Sequence, residues 1–332
     1  MNKKLTIIDI AKMANVSRGT VSRVINGNGP VAPETERIVR KVIEENHYVP
    51  NASAKNLKSP SKFIGVVNNN MLNPYFSDVM NGIERTLRRN GYTMFYVNGG
   101  SDLKAEEKEI YDLLSCNVRG LILLSSLCND KSESIVWAKK KVEIVAVETA
   151  MTSLDSVNTD NRAGLKQAID YLNACGHQQI GFFGNTLETF SSQERFVGFQ
   201  EGLAENHLPF DKSFLFLGKD YKIQWEKAAE EKRLPTALIA LNDYHAYELM
   251  DLCHERKIRM PEDLSVVGFD DLQFSRLTHP KLTTVKIPVE EMGETAAELL
   301  LKRIEQGQKG SYQKIMIGTQ LIVRGSVHNL RT

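Results

Sequence analysis

Apolar and polar positions follow one spacing in the first 60 residues and another in the rest of the chain. Up to residue 60, apolar residues recur every three or four positions, which is typical of helices that bury one face. From residue 61 onward, short and almost continuous apolar runs alternate with helical segments. Such runs are typical of parallel strands covered by helices on both faces. The pattern predicts a small all-α head (residues 1–60) and a larger α/β body (residues 61–332).

The body is predicted to contain two doubly wound parallel sheets, each in its own subdomain. We expect the chain to cross between the subdomains near residues 160 and 290. The predicted strands are FIGVVNN (63–69), TMFYVNG (93–99), GLILLSS (120–126), VEIVAVE (142–148), QIGFFGN (179–185), ALIALN (237–242) and LSVVGFD (264–270), with helices that include 75–90, 104–116, 161–175 and 243–256.

Ligands of such sheets bind beyond the carboxyl ends of the strands. Carboxylates, amides and aromatic side chains follow the predicted strands here. Aromatic faces can pack on the C–H surface of a sugar, while arginine and aspartate bind adjacent hydroxyls, so the set suits a polyhydroxylated ligand. The residues concerned are Asn69–Phe76, Glu148, Asn185–Ser192, Asn242, Asp243 and Asp270, joined by Arg195 and Tyr221.

The head is predicted to fold as three short helices. Thr6 with Asp9 forms a capping box ahead of the first helix, which ends near Asn15. Ser17 caps the second helix, and the third begins at Pro33, the position that proline favours. The apolar residues of the third helix, predicted to complete the core, are Ile38, Val39, Val42 and Ile43. Two short helices around a tight turn with a supporting third describe a helix-turn-helix module.

The second helix presents a polar face that could contact nucleic acid. Val21, Val24 and Ile25 are predicted to face inward, which leaves donors for base edges and phosphates outside. These outer residues are Arg18, Gly19, Ser22, Arg23 and Asn26. Gly19 destabilises the helix by about 1 kcal/mol relative to alanine. Either the backbone approaches DNA closely here, or the glycine is a chance substitution at a surface position.

Charge is distributed unevenly along the 332 residues. The first 60 residues hold ten Lys or Arg and five Asp or Glu, a net charge of +5, so the other residues carry −4 within the whole-chain +1. A basic head on a mildly acidic body indicates a polyanionic partner, with a solvated charged surface as the alternative. No run of about 18 apolar residues and no signal-peptide core is present. We therefore expect a cytoplasmic protein without a membrane partner.

The sequence contains no familiar catalytic or metal-binding motif. Four cysteines lack the spacing of a zinc site or a disulfide framework, and His254-Glu255 is not followed by a second histidine at zincin spacing. Neither a phosphate-binding loop, a dinucleotide fingerprint nor a nucleophile elbow occurs. We predict no catalytic residues, no metal and no cofactor, and expect that the protein is not an enzyme.

Residues 5–57, with TVSRV (20–24) and the Tyr-x-Pro-Asn segment (48–51), resemble the head of the lactose-repressor family of bacterial transcription regulators. The resemblance implies a helix-turn-helix domain at 1–48 and a hinge at 49–61. Arg18, Gly19 and Arg23 then occupy base-reading positions. Residues that contact or orient the DNA backbone are implied at Ser17, Thr20, Ser22 and Asn26, and further DNA-binding positions at Thr6, Tyr48, Asn51, Ala54, Lys55 and Leu57.

The hinge implied by the resemblance folds when two copies meet on DNA, and Leu57 matches the leucine that wedges into the minor groove. The alternative is a disordered tether in which Leu57 has no role. The head departs from the family pattern in its first turn, in a missing capping hydroxyl and at the end of the third helix, at Asn15, Ala32 and His47 respectively. Lys55 stands where the family often has Arg or Gln.

The body resembles the effector domain of the same family, which is similar to periplasmic sugar-binding proteins. The matching motifs are NPYF (73–76), VNTDNRAG (157–164), YLNACGHQQIGFFG (171–184), SSQERFVGF (191–199), ALNDYHA (240–246), VVGFDD (266–271) and PKLTTV (280–285). An effector-binding and dimerisation domain at 62–332 is implied, with ligand contacts at Tyr75, Phe76, Glu148, Ser191, Arg195, Tyr221, Asn242 and Asp270. Phe76 could instead be plain core, and Arg195 or Asp270 could brace loops.

These observations together predict a sequence-specific DNA-binding repressor of carbohydrate-utilisation genes. Its partners would be a palindromic double-stranded operator, a second copy of the chain and a small sugar or sugar derivative as effector. One alternative is a global carbon catabolite regulator with a phosphorylated carrier protein as corepressor. A solute-binding protein and a sugar-processing enzyme are alternatives from other classes.

Overall fold

The computed structural model describes residues 5–48, 61–70, 73–100, 102–307 and 310–331. The chain divides into two compact units, Met1–Ser61 and Lys62–Thr332. The predicted hinge positions Asn51, Ala54, Lys55 and Leu57 lie outside the described residues.

The head has the three predicted helices, α1 (Ile7–Met13), α2 (Arg18–Asn26) and α3 (Pro33–Glu45). The capping box between Thr6 and Asp9 is present. Ser17 Oγ accepts the Thr20 N–H at 3.1 Å and caps α2. Ala32 precedes α3 without a side-chain cap. These local bonds explain why α1 and α2 begin where the sequence indicates.

The core of the head is smaller than predicted. Its buried residues are Ile10, Ala11, Ala14, Val21, Val24 and Val39. Ile38 is 42% exposed, so the prediction that it completes the core is wrong. Successive residues of an α-helix lie about 100° apart, and with Val39 facing α1 and α2, Ile38 turns to solvent. Asn15 has the left-handed backbone that its turn requires, with φ of 52°.

The body alternates strands and helices. Its strands are β1 (Phe63–Asn68), β2 (Thr93–Asn98), β3 (Gly120–Leu124), β4 (Glu143–Val147), β5 (Asp155–Thr159), β6 (Ile180–Gly184), β7 (Leu215–Leu217), β8 (Ala237–Ala240), β9 (Ser265–Asp270), β10 (Thr283–Lys286), β11 (Lys314–Ile317) and β12 (Gln320–Ile322). Its helices are α4 (Pro74–Arg89), α5 (Leu103–Ser115), α6 (Glu133–Ala138), α7 (Asn161–Ala174), α8 (Phe190–Glu205), α9 (Tyr221–Glu230), α10 (Asp243–Glu255) and α11 (Val289–Gln306), with 3₁₀ turns at Lys212–Phe214 and Gln273–Arg276.

The strands form two sheets, as the sequence predicts, and each sheet has six strands. The first sheet has the order β11-β5-β4-β3-β1-β2 and is parallel throughout. The second has the order β12-β10-β9-β8-β6-β7, and only its edge strand β12 is antiparallel. The expectation of purely parallel sheets is therefore corrected at that edge. β12 follows β11 of the first sheet after two residues and pairs with β10 of the second.

Both faces of each sheet are covered, which explains the nearly continuous apolar runs. In the first sheet, Ile64 and Val66 face α4 and α11, while Val67 faces the α5 and α6 side. In the second sheet, Phe182 faces α7 and α8, while Phe183 faces α9 and α10. A strand buried on both faces needs apolar residues at odd and even positions alike.

The chain passes between the sheets three times. It leaves the first sheet after β5, returns after β10 into α11, and leaves again between β11 and β12. Sequence analysis named the first two passages, near residues 160 and 290, but not the third. These three connecting segments border the region where the carboxyl ends of both sheets face each other.

Candidate functional site

A cavity of about 180 Å³ lies at the carboxyl ends of strands from both sheets. Seven of the eight residues predicted to contact an effector line it: Tyr75, Phe76, Glu148, Ser191, Arg195, Asn242 and Asp270. Further lining residues are Asn70, Asn73, Ser125, Asn185, Thr186, Thr189, Ser192, Leu241 and His245. More than half of the lining residues are therefore ones that sequence analysis did not name individually.

Arg195 is held by three hydrogen bonds and one aromatic ring. Nε donates to Asn161 Oδ1 at 2.9 Å, Nη1 to the Leu241 carbonyl at 2.8 Å and Nη2 to Asp270 Oδ1 at 2.9 Å. Its guanidinium carbon lies 3.9 Å from the centre of the Phe269 ring. Since a guanidinium has five N–H groups, two remain for a ligand in the cavity.

Glu148 also lines the cavity and is oriented by the first crossing of the chain. Its Oε1 accepts the Thr159 N–H at 2.8 Å, and its Oε2 accepts from Asn161 Nδ2 at 3.3 Å. Asn161 therefore links Glu148, which follows the first sheet, to Arg195, which follows the second. Glu148 has φ of 55°, a strained value for a non-glycine residue.

Two aromatic residues form a third part of the wall. The rings of Tyr75 and Phe76 are in edge-to-face contact, with centroids 4.9 Å apart. Both residues are buried, and the Tyr75 hydroxyl donates to Met292 Sδ at 3.0 Å. They belong to the core of the body as well as to the cavity, so the two alternatives for Phe76 are compatible.

Asn242 and His245 lie at the start of α10. Asn242 Oδ1 accepts the His245 backbone N–H at 3.0 Å and is 2.7 Å from His245 Nδ1. His245 Nε2 accepts the Asn185 N–H at 3.3 Å. The histidine thus bridges the loops that follow β6 and β8.

Tyr221 is placed away from the other predicted contacts. It does not line the cavity, and its hydroxyl donates to Glu248 Oε2 at 2.5 Å. Its ring packs edge-on against Phe183 and the His245 imidazole, with centroids 4.9 Å and 5.7 Å apart. The structure places Tyr221 behind His245, because burial turns its ring into the core beside α10, and its direct contact with a ligand stays a prediction.

The outer face of α2 in the head exposes two arginines. Arg18 and Arg23 have no ion pair within the described part of the chain. On α3, by contrast, Arg37 and Arg40 each bind a glutamate of the same helix. The face around Gly19 therefore carries cationic groups that intramolecular partners do not neutralise.

The other predicted DNA-binding residues of the head fall into three groups. Thr6, Ser17 and Thr20 take part in helix caps, and Ser22 and Tyr48 are half-buried, Tyr48 against the head core. Asn26 ends α2, but its side chain, like Asn51, Ala54, Lys55 and Leu57, lies outside the description.

Comparison with known proteins decides the family. Residues 6–51 match the model of bacterial regulatory proteins of the lacI family, and residues 169–327 match the periplasmic binding protein-like domain. A relative described as the HTH-type transcriptional repressor PurR of Aliivibrio salmonicida (strain LFI1238) is 32% identical over 98% of this chain and 99% of its own length. This chain belongs to the LacI family.

Two solved structures of LacI-family proteins are similar over most of this chain. A lac repressor dimer bound to operator and the anti-inducer ONPF has a TM-score of 0.86 at 26% identity, covering 98% of this chain and 100% of that one. A LacI family transcriptional regulator from Enterococcus faecium with bound ribose has a TM-score of 0.71 at 27% identity, covering 81% and 100%. Membership of the LacI family therefore rests on sequence and fold together.

Burial governs the charges in the cavity of this LacI-family chain. It raises the pKa of Asp270 to about 6 against the opposing effect of the Arg195 charge and hydrogen bond. It also raises the pKa of Glu148, which the bond from Thr159 partly offsets. Burial lowers the pKa of His245 to about 4, so this ring is neutral near pH 7. Two carboxyls thus face one guanidinium.

Two residues that organise this LacI-family site were not predicted as part of it. Asn161 lies in the VNTDNRAG motif beside Asp160, which caps α7 by accepting the Ala163 N–H at 3.1 Å. His245 gave a weak signal, its position three residues after Asn242 at a helix start. The contacts from Asn161 to Arg195 and from His245 to the Asn185 N–H join residues 34 and 60 positions apart, and such contacts have no local sequence pattern.

Membrane and metal chemistry find no support in the described residues. None of the helices there combines the length and the apolar composition needed to cross a bilayer. Nor does any group of three or more His, Cys, Asp or Glu within those residues have an arrangement that could hold a metal ion.

Proposed function

We propose that this chain is a sequence-specific repressor of carbohydrate-utilisation genes whose operator affinity is set by a small, uncharged polyhydroxylated effector. Its LacI-family membership supports transcriptional control. Arg18 and Arg23, which have no ion pair among the described residues, support DNA contact. The observation that carries the effector is the cavity between the sheets. Its lining combines carboxylates, a guanidinium and amides.

The size and charge of the cavity support a sugar. A volume of about 180 Å³ is smaller than the roughly 300 Å³ or more of pockets that take drug-sized ligands. Arg195 is already paired with Asp270, and Glu148 adds a second carboxyl. An anionic ligand would face excess negative charge, whereas hydroxyl groups can donate to the carboxylates and accept from Arg195.

Known relatives support the same proposal. The Enterococcus faecium regulator is described with bound ribose, and the lac repressor dimer with operator and ONPF. We therefore assign residues 1–48 to DNA binding, 49–61 to a hinge that includes Leu57, and 62–332 to effector binding and dimerisation. Effector binding between the sheets would alter their relative position and so the hinge spacing, a coupling of about 1 to 3 kcal/mol.

An exposed apolar face supports association of two copies. Ile223, Tyr244, Phe274 and Leu277 are each more than half exposed, and we call them the exposed apolar face. They lie on neighbouring elements. Glu248 of α10 binds Lys222 of α9 at 2.7 Å, and Tyr247 of α10 binds Ser275 at 2.7 Å. Exposed apolar residues that cluster in this way often mark a protein interface.

The DNA-binding part is tested by sequencing the genomic fragments that purified protein retains at near-physiological salt, because salt sets the non-specific background. One or two palindromic sites beside sugar-uptake genes would support a local regulator. Dozens of dispersed sites would favour the global catabolite alternative. With Arg23→Ala, the retained fragments should no longer share one sequence motif, and operator affinity should fall by about 1 to 3 kcal/mol. Retention of the same sequence preference would contradict the assignment.

The effector part is tested by calorimetry of the full chain with neutral pentoses and hexoses, beginning with D-ribose, and with their phosphates. A neutral sugar should bind and its phosphate should not. Arg195→Lys should abolish binding, because lysine cannot reproduce three directed hydrogen bonds. Asp112→Asn, which alters an exposed pair on α5, is the matched control. Preferential binding of the phosphates would overturn the neutral-ligand proposal.

A further inference from the structure

His245 is a buried histidine whose two ring nitrogens both have partners. It is 5% exposed and lines the cavity. Nε2 faces the Asn185 backbone N–H at 3.3 Å, and a backbone amide can only donate. Nε2 therefore carries the lone pair. In the neutral ring the proton then lies on Nδ1, which donates to Asn242 Oδ1 at 2.7 Å.

The same geometry fixes the amide of Asn242. Its Oδ1 receives two donors, the Nδ1–H of His245 and the His245 backbone N–H at 3.0 Å. Rotating the amide by 180° would bring Nδ2, itself a donor, against both of them. The oxygen is thus directed toward α10. Nδ2 is left with two N–H groups and with no acceptor among the described residues.

Asn242 lies next to the other donor of this wall. Arg195 Nη1 binds the carbonyl of Leu241, the preceding residue, at 2.8 Å. Arg195 keeps two N–H groups for the cavity, and Asn242 adds those of Nδ2. Asp270 accepts from Arg195 Nη2 at 2.9 Å, and Glu148 adds a second carboxyl to the lining. Beside Asn242, the lining therefore presents donors from both the amide and the guanidinium.

We propose that His245 is a positioning residue that locks the Asn242 amide as a hydrogen-bond donor, so that the cavity selects ligands with an acceptor oxygen beside Asn242. This inference rests on the proposed effector role of the cavity. A hydroxyl or ring oxygen satisfies the requirement. A deoxy sugar that lacks this oxygen leaves Nδ2 without an acceptor. An ammonium group is itself a donor and would face the N–H groups of Asn242 and Arg195.

The first test needs no ligand. Long-range ¹H–¹⁵N spectra of the full chain at pH 7, with the His245 signals assigned by their loss in His245→Leu, report which ring nitrogen is protonated. The Nδ1–H tautomer is expected. The Nε2–H tautomer or a protonated ring would overturn the proposal, because neither leaves Nε2 free to accept from Asn185.

The second test separates positioning from general damage. For the sugar of a neutral pentose and hexose panel that binds wild type most tightly, His245→Leu should raise the Kd about tenfold. His245→Asn, whose Nδ2 can replace the Nδ1 donor, should stay within about threefold. Asn242→Asp keeps the cap and the histidine bond but turns an acceptor to the cavity, so it should bind at least tenfold more weakly.

A double-mutant cycle completes the design. In the Asn242→Ala background, His245→Leu should cause no further loss, because its effect acts through Asn242. Full additivity of the two losses, or a His245→Leu variant with the wild-type Kd, would overturn the positioning role. If wild type binds no sugar of the panel, the effector proposal fails, while the tautomer spectrum still decides whether His245 holds Asn242 in this way.

Discussion

Arg195 and Asp270 form an ion pair that is buried on both sides. The Nη2 and Oδ1 atoms are 2.9 Å apart, and the two side chains are 8% and 2% exposed. The pair does not stand alone, because Asn161 connects Arg195 to Glu148 across the first crossing of the chain. A charged network therefore runs from the end of β4 in one sheet to the end of β9 in the other. These hydrogen bonds connect the two sheets at the cavity.

Asp270→Asn should destabilise the body strongly. The substitution leaves the Arg195 charge buried without its partner, and breaking such a pair costs about 3 to 5 kcal/mol. The free energy of unfolding of the body, measured by chemical denaturation at pH 7, should fall by an amount in this range. Asp112→Asn, which breaks the exposed pair with Lys108, should change it by less than about 1 kcal/mol. Equal effects of the two substitutions would contradict the importance of burial.

Asp243 should make stability depend on pH. Burial raises its pKa to about 7, against the hydrogen bonds from Ser275, Thr284 and the Leu272 N–H. In the unfolded chain the pKa is close to 4. Between these values the folded state retains a proton that the unfolded state releases, so the contribution of Asp243 to stability falls as the pH rises.

The measurement is the difference in free energy of unfolding between wild type and Asp243→Asn. Buried histidines such as His245 and His177 act in the opposite direction, and their contributions cancel in this difference. As the pH rises from about 4 to about 7, wild type should lose stability relative to Asp243→Asn. Above that range the difference should stay constant. A constant difference over this range would show that Asp243 has the same pKa in both states.

The sequence predicts most of the scaffold because buried parallel strands leave a strong local pattern. All seven apolar runs, from FIGVVNN to LSVVGFD, contain a strand of the structure. The omitted strands are short or polar. β5 reads DSVNT and is buried throughout because Asp155 binds Arg303 and Asn158 binds the Thr149 backbone. These partners are 148 and 9 residues away, so local hydrophobicity could not reveal them.

Several residues that line the cavity could be located from the sequence for a related reason. Strand ends converge in a doubly wound sheet, so the strand pattern places Glu148 at the carboxyl end of one sheet and Asn242 and Asp270 at that of the other. What could not be predicted is which side chains orient the others. Tyr221 looked like an aromatic wall of the cavity but lies behind His245, and the distinction depends on the packing of α9 against α10.

The contact between α4 and α11 should tolerate no added methyl group. A Cβ at Gly82 would lie 2.2 Å from the carbonyl oxygen of Glu290, and one at Gly293 would lie 2.0 Å from that of Val79. Because these neighbours are backbone atoms, Gly82→Ala must push the helices apart. It should lower the free energy of unfolding by about 1 to 3 kcal/mol. Gly318→Ala, where a Cβ meets nothing within 4 Å, is the control, and equal melting temperatures would contradict the expected clash.

The exposed apolar face should be needed for dimerisation. Leu277 is 66% exposed, and Phe274 and Tyr244 on neighbouring elements are 52% and 58% exposed. Leu277→Lys would bury a charge if this surface packs against a second copy, which is costly without a partner. Sedimentation velocity should then detect a monomer at concentrations where wild type is a dimer. Val136→Lys, on α6, is the matched control. A dimer of unchanged affinity in Leu277→Lys would place the interface elsewhere.

Gly19 should separate stability of the head from binding to DNA. A Cβ at this position would meet only Ser17 Oγ at 3.6 Å and Arg23 Nη2 at 4.0 Å, which are ordinary contacts. The head itself therefore does not require glycine, and alanine is favoured in a helix by about 1 kcal/mol. Gly19→Ala should raise the melting temperature of the head. If DNA approaches the backbone closely here, the same substitution should weaken operator binding at least tenfold.

Thr35→Ala on α3 is the control for Gly19→Ala, because it also improves helix propensity without changing charge and lies outside α2. Its operator affinity should equal that of wild type. If the Gly19→Ala head is more stable and binds its operator as tightly as wild type, the glycine is a chance substitution at a surface position. Since Arg18 and Arg23 flank this position on the same helix, the face that they form would then have to contact DNA through side chains alone.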